Sequence, residues 1–353
     1  MTVRDIEKYR RRNPVPVLPE LARFRRCAVI PCYDENETIG RTLGALAAAA
    51  EAADLPPAVL LVVNYPAGAD PADSLKLLER VRRGEFPLKH LYALYAPELE
   101  GGVGAARKRG MDTFLQSIPA EAVPEALIFS LDADTVVEKE YFGAVAAFFA
   151  SSRAGAVTVG YSHLPGETPE QEKAIRRYEA YLKRYVDQLA RCRSPYAFHT
   201  VGSAFAVRGE AYIKCGGMKI RRAGEDFYFL QEAAKSAGIA RFDKILVHPS
   251  PRLSGRTPFG TGQAVRELMA GNALPEIPDA AFDRLRRLLE AVTESALDCD
   301  APLLPEKDFF TKERFFALWP GIRRNTPKNG RLRAFHVWFD GLKTLRFLHF
   351  CSD

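Results

Sequence analysis

At 353 residues the chain exceeds one small domain and suffices for a large α/β core with additions. Hydrophobic residues at 47% and charged residues at 27% describe a globular protein and exclude a disordered or fibrous one. The 50 basic and 44 acidic residues leave a net charge of +6, which suits an anionic substrate or a membrane surface and makes no case for nucleic acid.

The predicted elements begin after a charged N-terminal arm, residues 1–25, whose MTVRDIEKYRRRN start is not that of a secretory leader. Short apolar runs then alternate with helical patterns. Strands are expected at Cys27–Pro31, Ala58–Val63, His90–Tyr95 and Ala126–Leu131. Helices are expected at Glu37–Ala53, Pro71–Arg83, Val103–Gln116 and Lys139–Ala150. Such alternation predicts a parallel sheet covered by helices on both faces, with ligands at the carboxyl ends of its strands. Further on, Glu167–Arg191 reads as one long polar helix, another helix starts near Glu225, and Ile245–His248 is a strand. After about Pro275 the character changes: Phe282–Leu297 is helical and Arg331–Phe350 is basic and aromatic. The expected division is an arm at 1–25, a catalytic-type domain at 26–275 and a helical extension at 276–353.

The cysteines, Cys27, Cys32, Cys192, Cys215, Cys299 and Cys351, form no CxxC pair and so lack zinc-ligand spacing; they read as reduced thiols of a cytoplasmic protein. The most apolar stretch, Tyr141 to Gly160, is interrupted by Ser151, Ser152 and Arg153, and no membrane span is predicted. In the C-terminal segment, Phe335, Trp338, Phe339, Leu342, Leu345 and Phe350 recur at roughly helical spacing with Lys343 and Arg346 among them. Core packing is the expected use of that face, and peripheral contact with the inner face of a membrane is the alternative.

Chemistry gathers in the loops behind the strands. Pro31-Cys32-Tyr33-Asp34-Glu35-Asn36-Glu37 puts acids at a helix start, where Asn36 capping is the plain explanation. Glu100-Gly101-Gly102-Val103-Gly104 leads into a helix carrying Arg107, Lys108 and Arg109, a pattern that fits a diphosphate cradle. It lacks a third glycine and follows the third strand, so it is not the dinucleotide signature. Asp132 and Asp134 stand two residues apart behind an apolar strand, where carboxylates are expensive without a partner. A divalent cation is one partner, and an Asx turn is the bland alternative. Glu225 and Asp226 follow Gly224 at a helix start, as either cap or base. The dipole of that helix end predicts an ionised Asp226 at neutral pH.

Five elements in order, IPCYDENE, GGVGAARKRGMD, DADT, GSAFAVR and GED, resemble the family 2 glycosyltransferases of the GT-A fold over about Cys27 to Val247. The resemblance implies a Rossmann-like, mostly parallel sheet flanked by helices, followed by the helical extension. It implies inverting transfer of a sugar from a UDP- or GDP-linked donor to a sugar, lipid-linked or small-molecule hydroxyl acceptor. Asp134 would ligate Mg2+ or Mn2+, Asp132 would assist the metal or hold the ribose, and His248 would be a further metal ligand. Pro31, Tyr33, Glu35, Asn64, Gly104, Lys108, Arg109 and Arg256 would serve the donor. Gly202 and Ser203 would border the acceptor, and Asp226, supported by Glu225, would take its proton. Two departures stand out. The acidic pair often found after the second strand is here Asn64 alone, and the QxxRW motif of processive synthases is absent, which implies non-processive transfer. A nucleotidyltransferase and a non-catalytic sugar-nucleotide or carbohydrate-binding protein are the alternatives.

Overall fold

The computed structural model describes residues 1–221, 224–253, 260–293 and 296–352. Its chain divides into two compact units, one of residues 1–179 and 200–272, the other of residues 180–199 and 273–353.

The larger unit is built on an eight-stranded sheet. Its strands are β1 (Arg26–Cys32), β2 (Ala58–Asn64), β3 (Leu91–Ala96), β4 (Leu127–Ser130), β5 (Val136–Val137), β6 (Ala156–Tyr161), β7 (Phe205–Arg208) and β8 (Ile239–His248), in the order β3-β2-β1-β4-β7-β6-β8-β5. The first four pair in parallel, as does β6 with β8, whereas β7 runs antiparallel to both β4 and β6 and β5 antiparallel to β8. Helices α1 (Val3–Arg12), α2 (Ile39–Glu51), α3 (Ala72–Arg82), α4 (Gly102–Ser117), α5 (Tyr141–Ser151), α6 (Pro169–Arg191), α7 (Gly209–Lys214), α8 (Glu225–Ser236) and α9 (Thr261–Met269) complete the order of elements to this point; α6 runs on into the second unit.

Strand alternation explains why the sheet takes helices on both faces. Ala28, Ile30 and Cys32 of β1 and Val59, Leu61 and Val63 of β2 share one buried cluster with Leu43 and Leu46 of α2 and with Phe142, Val145 and Phe149 of α5. The intervening Val29 and Val62 face α4, which comes so near that a Cβ at Gly110 would lie 2.5 Å from Val29 Cγ1 and 2.6 Å from Val62 Cγ2. With both faces covered, β1 and β2 are read correctly as continuous apolar runs.

Of packing on the domain or trailing from it, both open to an N-terminal arm, the contacts of α1 are of the first kind. Tyr9 Oη donates to buried Asp112 at 2.7 Å, and Arg10 Nη2 donates to the carbonyls of Leu115 and Ile118, tying α1 to α4. The sequence reading missed β5, β6 and β7 and took only the last part of β8. The first half of β8 carries Arg241, Asp243 and Lys244 and is only partly buried, so it lacks the apolar run that marks its end. Strand β5, with two residues, exists through its pairing with Val247 and His248.

The second unit holds the end of α6 with α10 (Asp279–Thr293), α11 (Lys307–Lys312), α12 (Phe315–Arg324), α13 (Arg331–Trp338) and α14 (Gly341–Phe350). Its core is aromatic: Phe282, Phe309, Phe310, Phe315, Trp319, Phe335, Phe339 and Phe347 are buried together. The C-terminal segment is two helices, broken where Asp340 caps α14 by accepting from the Lys343 amide at 3.1 Å. Phe335 and Phe339 are buried, with Trp338, Leu345 and Phe350 packed on that core, so these aromatic residues serve packing. Among the described residues no helix is long and apolar enough to cross a membrane.

A pair of helical glycines, Gly110 of α4 and Gly44 of α2, gives the packing a test. An added methyl at Gly44 of α2 meets nothing within 4 Å, so Gly44→Ala is expected to stabilise by about 0.5–1 kcal/mol, as helix propensity dictates. Gly110→Ala, forced against β1 and β2, is expected to destabilise by about 1–3 kcal/mol instead. Urea denaturation of the two variants measures both signs; equal stabilisation by both would show that α4 does not sit close on the sheet.

Candidate active site

The carboxyl ends of β1, β2 and β4, the loop before β7 and the start of α8 bear the residues singled out by the sequence. At the middle of them is Arg107. It lies on the face of α4 that also carries Gly110 and Phe114, one helical row directed at the sheet. Its side chain is 3% exposed. Nη1 donates to Glu225 Oε1 at 2.5 Å, Nη2 is bonded to the Asp132 carboxylate, and Nε donates to Ser130 Oγ at 3.1 Å. The Ser130 hydroxyl in turn donates to the Gly202 carbonyl at 2.7 Å. One guanidinium thereby ties the end of β4 to the head of α8, and Ser130 links both to the loop at Gly202. Burial pulls its pKa down, but Asp132, Glu225 and Asp226 outweigh burial and keep it charged.

Two glycines make room for this arrangement. A Cβ at Gly202 would stand 2.7 Å from Arg107 Nη2, whose hydrogen bonds leave it little freedom to move. A Cβ at Gly104 would stand 3.0 Å from the Glu225 Cβ and 3.1 Å from the Arg221 carbonyl. Gly104 thus brings α4 against the start of α8, a packing role beside the phosphate cradle expected of it.

A second cation works on the other side of the aspartates. Arg252, beyond the end of β8, donates through Nη2 to Glu35 Oε1 at 2.6 Å and lies 3.1 Å from Asp134 Oδ2. Glu35 is buried and also accepts from the Thr38 hydroxyl. The Asp134 carboxyl is raised to about 6, by loss of water and then by the negative charge of Asp132, with Arg252 opposing and Glu35 adding to the rise.

Asp226, partly buried beside Glu225, is raised to about 7, first by desolvation and then by the Glu225 charge, while Arg107 opposes. The expectation that the helix end would hold Asp226 firmly ionised is corrected in direction: removal from water and a neighbouring acid exceed the helix-terminal effect. Gly224, at φ +70°, takes the left-handed turn that starts α8.

The remaining expected residues divide. Pro31 ends up inside β1, opposite Val62, and Tyr33 follows the strand, partly exposed. Asn64, buried at the end of β2, has a side-chain oxygen with no hydrogen-bond partner among the described residues. Ser203 is buried. Lys108 faces the opposite way from Arg107, to Asp112 at 2.6 Å and Asn13 at 2.9 Å, so its cation is spent on holding α1 rather than pointing with Arg107 into the acidic loops. Arg109 carries a buried Nε with no hydrogen-bond partner among the described residues. His248 has its Nδ1 at 2.9 Å from the Ser162 carbonyl and its Nε2 at 2.8 Å from Glu138 Oε1, so both ring nitrogens are engaged away from the Asp132–Asp134 pair. Arg256 lies outside the described residues.

In the sequence Arg107 is read only as one of three cations behind the glycines, and Arg252 is not singled out. For Arg107 the signal was available: it is the cation in register with Gly110 and Phe114 on a helix that must cover the sheet. For Arg252 nothing short of the tertiary structure marks it.

Residues 25–287 match the model of the glycosyltransferase like family 2. The chain belongs to that family. By that membership it is a glycosyltransferase, and the nucleotidyltransferase alternative gives way; its mostly parallel sheet flanked by helices is the architecture that the resemblance implies. No curated protein sequence matches. Among solved structures, S. aureus TarS 1-349 in complex with UDP-GlcNAc is similar at 15% identity over 93% of this chain and 90% of that one, with a TM-score of 0.47. The mannosyltransferase PcManGT from Pyrobaculum calidifontis, in complex with GDP-Man and Mn2+, is similar at 15% identity over 97% and 93%, with a TM-score of 0.44. Glucosyl-3-phosphoglycerate synthase from Mycobacterium tuberculosis is similar at 13% identity over 78% and 87%, with a TM-score of 0.39.

The role of Arg107 as the tie of this family 2 site is open to measurement. Arg107→Met leaves Glu225 buried without its counter-charge and is expected to destabilise by about 3–5 kcal/mol. Adding Glu225→Gln should recover a good part of that loss, since the stranded charge is then gone. Denaturation of the single and double variants gives the coupling; strictly additive losses would mean that the pair does not interact.

Proposed function

We propose that the chain is a metal-dependent, inverting, non-processive glycosyltransferase that takes a sugar from a nucleotide-diphosphosugar to a hydroxyl acceptor. The observation that carries this is the joining of two acidic pairs, Asp132 with Asp134 and Glu225 with Asp226, through the buried guanidinium of Arg107. One pair suits the donor side of such a transfer and the other the acceptor side.

A divalent cation is tested against the residues present. Mg2+ and Mn2+ take oxygen ligands, and Mg2+ is usually held by one or two carboxylates together with substrate phosphates and waters. Among the described residues no three His, Cys, Asp or Glu side chains are assembled to hold an ion by themselves. Asp134 and Asp132 fit the smaller requirement, and a cation would offset both the loss of water and the Asp132 charge that raise Asp134. When bound, such an ion supplies charge neutralisation for the departing nucleoside diphosphate. His248 would have to leave Glu138 to join it. On the donor side Asn64, with its unpartnered acceptor oxygen, suits a hydroxyl or N–H of the nucleoside.

In the transfer, the acceptor oxygen bonds to the anomeric carbon on the face opposite the diphosphate, the bond from that carbon to the diphosphate oxygen breaks, and the acceptor proton passes to the Asp226 carboxylate. Glu225 and Arg107 fix the position of α8's first turn, and Gly202 and Ser203 border the acceptor. UDP- and GDP-linked sugars are the proposed donors.

Release of nucleoside diphosphate from a panel of such donors, with Mn2+ and candidate hydroxyl acceptors, tests the proposal. Asp226→Asn is expected to keep donor and metal binding while transfer falls by ~10²-fold or more. As Asp226 must be ionised to accept a proton and is raised to about 7, transfer by the native enzyme should climb with pH through neutrality and level off above it. An Asn variant with near-native turnover and unchanged melting would make Asp226 a helix cap only.

A further inference from the structure

Arg252 binds its carboxylates in an incomplete way. A single nitrogen, Nη2, serves both Glu35 at 2.6 Å and Asp134 at 3.1 Å. Nε is buried and has no hydrogen-bond partner among the described residues. Arginine–carboxylate pairs frequently use the fork, two parallel bonds to one carboxylate, and Arg107 uses all three of its nitrogens. Arg252 instead straddles acids from two different loops, those after β1 and β4, and leaves a donor unused. The position is one that demands positive charge, and the arginine supplies charge without the matching set of hydrogen bonds.

We infer that Arg252 is an internal stand-in for the divalent cation. Its guanidinium neutralises Glu35 and Asp134 and so opposes metal entry. A nucleoside diphosphate offers its guanidinium, and the unused Nε, a better anion; Asp134 is then released to the metal. Metal and nucleotide consequently bind with positive coupling, each strengthening the other by the same factor. This rests on the proposed metal-dependent role of Asp132 and Asp134.

The test is Mn2+ binding to the full chain, by calorimetry or by the Mn2+ paramagnetic resonance signal, without nucleotide and with UDP or GDP. For the native protein, nucleotide should tighten Mn2+ by about tenfold or more, a coupling of ordinary size for linked sites. Arg252→Gln should bind Mn2+ about tenfold tighter without nucleotide, show a coupling smaller by that same factor, with the part due to direct metal–phosphate contact remaining, and bind nucleotide more weakly in the absence of metal. Arg252→Lys, which keeps the charge but reaches less far, should fall between and serves if the Gln variant melts early. Asp134→Asn should abolish the gain. Unchanged Mn2+ affinity and unchanged coupling in both Arg252 variants would overturn the inference while leaving the metal site standing. Failure of every form to bind Mn2+, with or without nucleotide, would overturn the metal-dependent function as well.

Discussion

A guanidinium buried to 3% exposure cannot be left to itself, and the arrangement around Arg107 follows from that constraint. Taking an ion out of water costs several kcal/mol even after relaxation, so the surroundings must return hydrogen bonds and opposite charge. Ser130, Asp132 and Glu225 do so from two elements, and the Gly202 carbonyl completes the chain through Ser130. Because the arginine sits on the sheet-facing row of α4, the same bonds fix where α8 begins relative to the end of β4. Gly104 and Gly202 are accordingly places where a side chain would not fit.

The site is a balance of acids over bases. Glu35, Asp132, Asp134, Glu225 and Asp226 are drawn together at the strand ends, and Arg107 and Arg252 only partly compensate them. Loss of water first, and this surplus second, raises Asp134 and Asp226 in proton affinity. The surplus also makes the loop after β4 receptive to a further cation. The two arginines differ: the first is enclosed with its bonds made, while the second has an Nε without a hydrogen-bond partner among the described residues.

The aromatic unit follows a different logic. Apart from α10 its own helices run ten residues or fewer, and α11 has only six, so local propensity contributes little to them. Rings fill the core instead, with Phe310 in contact with Phe315, Phe335, Trp338, Phe339 and Phe347. The apolar periodicity of the last residues, which also suits an interface with lipid, is spent on this packing.

Much of the frame was legible in the chain alone. CAVIP and AVLLVV are apolar throughout because both faces of β1 and β2 are covered, and DADT and GED stand out because acids directly beyond buried strands or at a glycine-led helix start need a partner. Composition, period and local chemistry determine those features. What only the tertiary structure decided is which cation meets which acid. Arg107, Lys108 and Arg109 are consecutive and chemically alike, yet the ~100° turn per residue of a helix sends Arg107 to the sheet and Lys108 to α1. His248 faces Glu138, and Arg252 reaches Glu35 over 217 positions of sequence, because pairing across the sheet brings the end of β8 beside β5 and the loops after β1 and β4. Such contacts depend on register and on the desolvation of each neighbour, quantities that exist only once the chain has folded.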